Sequence, residues 1–150
     1  MLNTHWILVA NASEARLFST HKLGDGKSWQ FLKEFNHPAS RERDFELTSD
    51  KPGRYQFQGK SGTSGHGAYS DRTDPKEVEV ERFAQQLAEE LNTGRVHNLY
   101  HKLILIAPPH FHGLLNKYCD HNVLSLITQH VEKDYTKLRE RELALHLKEL

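Results

Sequence analysis

Leu103-Ile104-Leu105-Ile106-Ala107, closed by Pro108-Pro109, is an uninterrupted apolar run too short for a buried helix. Such a run reads as a strand covered on both faces, and strands of that kind belong to parallel sheets. The residues before it explain how a parallel strand arises. Asp74 is a good N-cap, Pro75 suits the first helical position, and Glu77 stands three residues after the cap. Val80, Phe83, Ala84, Leu87, Ala88 and Leu91 then recur at helical spacing. This predicts a crossover helix feeding the strand, with Gly94 as its C-terminal cap. The opposite face, with Lys76, Glu79, Arg82, Gln86 and Glu90, reads as a solvated surface.

Upstream, Trp6-Ile7-Leu8-Val9-Ala10 is a second fully apolar run, ended by Asn11-Ala12-Ser13. Ala15 and Leu17 alternate with Arg16 and Phe18 in a second strand of about seven residues. Gly24-Asp25-Gly26 makes a turn, and Trp29 to Phe35 is a third strand. Short links make these three an antiparallel meander. Ala39–Thr48 is strongly charged, with room for one or two helical turns. Residues 49–74 carry no apolar periodicity and read as a long loop. Downstream, Phe111, Leu114, Leu115 and Tyr118 form a helix, and Val123, Leu124 and Ile127 a further segment. His130–Thr136 is expected as the last strand and Leu138–Leu150 as a terminal helix. The order β-β-β-α-β-α-β-α predicts one α/β domain over residues 1–150, a three-layer α/β/α arrangement of five mixed strands with ribonuclease-H-like topology. Its two most apolar runs belong at the centre.

Lys plus Arg equals Asp plus Glu at 20 each, so the chain has no global field for nucleic acid or anionic membrane. Any such affinity must be local. Cys119 is the only cysteine, which excludes an intrachain disulfide and fits a reducing compartment. The first residues lack a basic region, and the Trp6–Val9 run is too short for a leader or a membrane span, so a cytoplasmic location is expected. A two-metal nuclease needs carboxylates on the central strands, and neither apolar run carries one. Glu14 and Asp134 are the isolated acids left. Cys119 and His121 point in different directions on a helix, and the thiol reads as a small buried side chain. His110 and His112 read as solvent-facing residues of a helix start. No metal site and no cofactor is expected, and no catalytic residue is assigned.

The loop has the most distinctive chemistry. Between Lys51 and Ser70 there is no Asp or Glu, whereas Asp44, Glu46, Asp50, Asp71 and Asp74 flank it. Lys51, Arg54 and Lys60 alternate with Tyr55, Phe57 and Tyr69, and glycines stand at 59, 62, 65 and 67. Cations meet phosphates while aromatic faces stack on bases, each stack worth about 1–3 kcal/mol. Lys51, Arg54, Tyr55, Gln56, Gln58, Lys60, His66 and Arg72 are the candidate RNA-binding residues. The same composition also describes an ordinary flexible surface loop.

Several stretches carry a resemblance. They are Trp6–Ala12 with Ala15-Arg16, His37-Pro38-Ala39-Ser40-Arg41, Ser49-Asp50-Lys51-Pro52-Gly53-Arg54, Arg72-Thr73-Asp74-Pro75-Lys76-Glu77, Ala107-Pro108-Pro109 with Phe111, and Glu132–Thr136. In that order they resemble the bacterial host-attachment protein family over nearly the whole chain. That family is similar to the central domain of archaeal and eukaryotic release factors and of Pelota. The resemblance implies a ribosome- or RNA-associated translation factor with ribosome, rRNA or tRNA as partner. In release factors a Gly-Gly-Gln loop assists hydrolysis of peptidyl-tRNA. Here the nearest feature is Gln56-Phe57-Gln58-Gly59, and Phe57 replaces the glycine that frees the Gln backbone. Two other readings stand beside the RNA-associated one. One is a peptidyl-tRNA hydrolase using Gln56 or Gln58. The other is a non-enzymatic interaction or attachment protein, in one version a homo-oligomer joined through the third-strand edge or the tail Leu143–Leu150.

Overall fold

A computed structural model describes residues 3–37 and 74–147. The elements are β1 (His5–Ala10), β2 (Glu14–Thr20), a 3-10 turn (Gly26–Ser28), β3 (Gln30–Asn36), α1 (Pro75–Val96), β4 (Lys102–Ile106), α2 (Pro109–Tyr118), α3 (His121–Leu124), β5 (Ile127–Val131) and α4 (Glu140–Leu145). The five strands form one sheet in the order β3-β2-β1-β4-β5. The meander is antiparallel, whereas β1–β4 and β4–β5 are parallel. This is the mixed five-stranded, ribonuclease-H-like arrangement expected from the element order, with the two most apolar runs adjacent at its centre.

Both faces of the centre are covered, which is why β1 and β4 do not alternate in polarity. Trp6 and Leu8 point with Leu103 and Leu105 toward α1 and α2, where Phe83, Leu87, Leu91, Phe111 and Leu115 close the larger core. Ile7, Val9, Ile104 and Ile106 point the other way, toward Leu23, Trp29 and Leu143 of α4. The outer strands β3 and β5 each carry a register irregularity against their neighbour. Such bulges twist an edge and discourage pairing with a further strand.

α1 starts as its sequence predicts, with the Asp74 side chain accepting from the Lys76 amide at 3.0 Å. Its end differs. Gly94 is not the cap but a buried residue inside the helix, which runs on to Val96. A Cβ at Gly94 would lie 2.4 Å from Trp6 Cη2, so the glycine is required by close packing. The termination is made by Asn98, whose φ of 57° is left-handed. The Asn98 amide donates to Arg95 O and the Leu99 amide to Gly94 O, each at 2.9 Å, the Schellman pattern.

The last strand is also displaced. It occupies Ile127–Val131, not His130–Thr136. α3 is a single turn closed by Ser125 and Leu126, so the chain enters the sheet earlier than its pattern suggests. Asp134 and Thr136 instead form a side-chain-stabilised turn, with Asp134 Oδ1 accepting from the Thr136 amide at 3.1 Å and hydroxyl at 2.6 Å. The terminal helix is shorter than expected, Glu140–Leu145. The helical turns expected in Ala39–Thr48 lie outside the described residues.

Candidate functional site at the carboxyl edge of the sheet

In open α/β sheets the crevice beyond the carboxyl ends of parallel strands gathers functional groups, because loops rather than strands end there. Here that edge is built from Asn11 after β1, His37 after β3, the first turns of α1 and α2, and the turn after β5. All eight candidate RNA-binding residues, Lys51, Arg54, Tyr55, Gln56, Gln58, Lys60, His66 and Arg72, lie outside the described residues. The residues that bracket their segment are well placed. The His37 amide donates to Ser13 O at 2.8 Å, its ring stacks on Phe83 with centroids 5.2 Å apart, and its Nε2 lies 3.0 Å from Glu79 Oε1. Asp74 caps α1, the same helix that carries Glu79 and Phe83.

Glu79 corrects the expectation of a uniformly solvated face on α1. It is buried, and its second oxygen accepts from Arg82 at 3.2 Å. Burying a polar side chain is costly unless it is hydrogen-bonded, and His37 and Arg82 are two of the partners of Glu79. At the neighbouring turn, exposed His110 pairs with Glu77 at 3.1 Å.

His112 overturns a second expectation. It is buried, not solvent-facing. Its Nε2 lies 3.0 Å from His130 Nδ1 on β5, and its Nδ1 lies 3.1 Å from the Asn116 side-chain amide. Burial, then the neighbouring His130, holds its pKa below the ordinary histidine value of 6.5, against an opposing pull from Glu132. A histidine buried in its neutral form takes up its proton more readily when unfolded. Its stabilising contribution is therefore complete above pH 6.5 and is lost as pH falls from there toward the depressed folded value. The expected result is a fall in the urea midpoint over that window, at most about 1.4 kcal/mol per pH unit. His112→Gln should flatten that window, and an unchanged slope would count against it.

Glu14 and Asp134, distant in sequence, both stand at this edge, where Asn11 bonds the backbone of one and the carboxylate of the other. Asn11 Nδ2 donates to Asp134 Oδ2 and to Thr136 Oγ1 at 3.2 Å each, and its Oδ1 accepts the Glu14 amide at 3.0 Å. Lys137 reaches Glu14 at 3.4 Å, and Arg16 donates to the carbonyls of Thr136 and Leu138. Partial burial pushes Asp134 up, but hydrogen bonds from Thr136 and Asn11 and the nearby Lys137 charge outweigh it, so its pKa lies below the ordinary 3.8. Its contribution is present above pH 3.8 and fades as pH falls through the depressed value. Asp134→Asn should therefore lower stability at neutral pH and converge on the parent protein in strong acid, as read by paired urea titrations.

These contacts occupy both acids with protein partners. Among the described residues no group of three or more His, Cys, Asp or Glu side chains is placed to hold a metal. Cys119 is buried, and burial, with the Asp120 charge second, pushes its thiol up to about 11, which leaves it a poor nucleophile.

A family model described as "Protein required for attachment to host cells" matches residues 6–147. The chain belongs to that family. No curated protein matches it. Among solved structures, it is similar to the crystal structure of the archaeal translation termination factor aRF1, with a TM-score of 0.50 at 13% identity. The match covers 96% of this chain and 37% of the factor, so this family member spans well under half of that protein. At such identity the likeness is one of fold. No helix among the described residues is long and apolar enough to cross a membrane.

Proposed function

We propose that this host-attachment family member is a ribosome- or RNA-associated factor, a single domain working in the cytoplasm by binding rather than catalysis. Residues 49–74 are its contact, with Lys51, Arg54, Lys60 and Arg72 meeting phosphates and Tyr55 meeting bases. Gln56, Gln58 and His66 add polar contacts. The observation that supports this most is where the acid-free stretch is rooted. Residues 38–73, which contain it, lie between His37, whose ring meets Glu79 and Phe83, and Asp74, which caps the helix bearing both, at the carboxyl edge of a release-factor-like sheet. A charge-balanced protein gains affinity for a polyanion only by concentrating cations in one place, and the acid-free stretch 51–70 offers Lys51, Arg54 and Lys60 together.

Sedimentation of cell extract through a sucrose gradient tests the reading. The protein should travel with ribosomal particles, more so when ribosomes are stalled, and should be released by raised salt. A variant combining Lys51→Ala, Arg54→Ala and Lys60→Ala should move to the top of the gradient. Wild-type protein that stays at the top under every condition sinks the proposal.

A further inference from the structure

The opposite, amino edge of the sheet holds a cavity of about 320 Å³ between the end of α1, the start of β4 and α3. Arg95, Asn98, His101, Asn122 and Ser125 supply its polar lining, and no carboxylate borders it. Arg95 is half-buried in the last turn of α1. Its Nε and Nη2 both donate to Asn92 Oδ1, at 3.1 and 3.0 Å. That fork is thus fixed in direction by a neutral amide. Every ion pair among the described residues uses a different cation, so the Arg95 charge is oriented but not neutralised.

The groups that would compete for this charge are occupied. The carbonyls of Thr93, Arg95 and Gly94 at the end of α1 accept from the amides of His97, Asn98 and Leu99, so these three are occupied within the protein. Glu90, the acid nearest to Arg95 in sequence, pairs with Lys33, and Asp120, two residues before Asn122, spends Oδ1 on the Asn122 amide at 2.7 Å. Tyr100 donates its hydroxyl to Leu91 O at 2.8 Å and contributes only its ring to the wall. The remaining donors are the side-chain amides of Asn98 and Asn122, which have no protein partner among the described residues. His101 adds an imidazole whose Nδ1 is buried without a hydrogen-bond partner.

We infer that this cavity is a binding site for a phosphate group, carried either by a small phosphomonoester or by a nucleic-acid backbone. A guanidinium oriented through Nε and Nη2 by Asn92, with Nη1 given no protein partner among the described residues, in a cavity lined by neutral donors and no carboxylate, suits a tetrahedral oxyanion with several acceptor oxygens. The cavity is within the size range of small-ligand sites. It lies at the edge away from residues 49–74 and does not depend on the RNA reading of that segment.

The test follows the Arg95 Nε–H signal of the full-length protein by nitrogen-edited NMR while inorganic phosphate, adenosine monophosphate or a short single-stranded RNA is added at constant ionic strength. A saturable shift is expected. If phosphate and the nucleotide both produce it, the source is a small phosphate; if only RNA does, the source is the polymer backbone. Asn92→Asp keeps the contact to Arg95 while supplying the missing negative charge, so it should weaken binding by about tenfold or more without unfolding the helix. Arg95→Gln should abolish it. Absence of a saturable shift with all three additions, or a shift matched by chloride alone, overturns the site. So does binding that survives Asn92→Asp unchanged. No ribosome is present in this measurement, so its failure leaves the gradient experiment untouched.

Discussion

Phe83→Ala is expected to lower the unfolding free energy by about 3–5 kcal/mol, the usual loss for truncating a fully buried phenylalanine. Phe83 is completely buried. Its ring contacts Phe111 on one side, with centroids 5.7 Å apart, and stacks on His37 on the other. The cavity left by alanine cannot collapse easily, because Phe111 is fixed by α2 and His37 by Ser13 and Glu79. Domains of this size are stable by about 5–15 kcal/mol, so the loss is a large fraction of the total. Urea unfolding followed by circular dichroism measures it. A loss below about 1 kcal/mol would mean that the two rings do not pack as described. His37 should also exchange its amide faster in this variant, because its ring loses the surface it rests on.

Gly94→Ala carries an opposite expectation from local propensity. Alanine is favoured over glycine within a helix by about 1 kcal/mol, which predicts a stabilised protein. The contacts predict the reverse. The added Cβ would sit 2.4 Å from Trp6 Cη2 and 2.6 Å from Cζ3. Trp6 cannot give way freely, since it stacks on Tyr100 at 4.5 Å and Tyr100 is tied to Leu91. Overpacking of this kind costs about 1–3 kcal/mol, and with both neighbours of the contact fixed the upper end applies, so a net loss of up to about 2 kcal/mol is expected. Adding Trp6→Phe to Gly94→Ala should recover part of it, because the smaller ring withdraws from the helix. A rise in the urea midpoint of the single variant would rule out the close approach.

These two residues show what the sequence could and could not reveal. Phe83 is legible as core because it falls on a stripe with Val80, Leu87 and Leu91, a signal carried by spacing alone. Gly94 is visible as a special position but not for its actual reason. A glycine near the end of a periodic stretch looks like a cap, and only Trp6, distant in sequence, reveals it as a point of helix–sheet contact. The central strands are legible because covering both faces of a sheet demands continuous apolar runs. β5 is less so, since an edge strand half-covered by helices mixes Thr128, Gln129 and His130 with its apolar residues.

The polar side chains at the carboxyl edge were hidden for the same physical cause. Glu79 falls on the polar side of α1, and its burial depends on His37 arriving from β3. His112 follows two prolines at a helix start and is buried only because β5 places His130 against it. Glu14 and Asp134 are separated by most of the chain, and Asn11 joins them. Partners that come from remote segments leave no mark in local spacing. The Arg95 cavity is hidden in the same way, since its walls come from three elements.

The clasp of His37 on Glu79 also ties the end of an edge strand to a helix 42 residues further along the chain. Bringing two such distant points together costs chain entropy, and the stacking of the His37 ring on Phe83 adds to the contacts that offset it. Loosening that one ring would therefore be felt in two layers of the domain at once, the sheet edge and the helix above it.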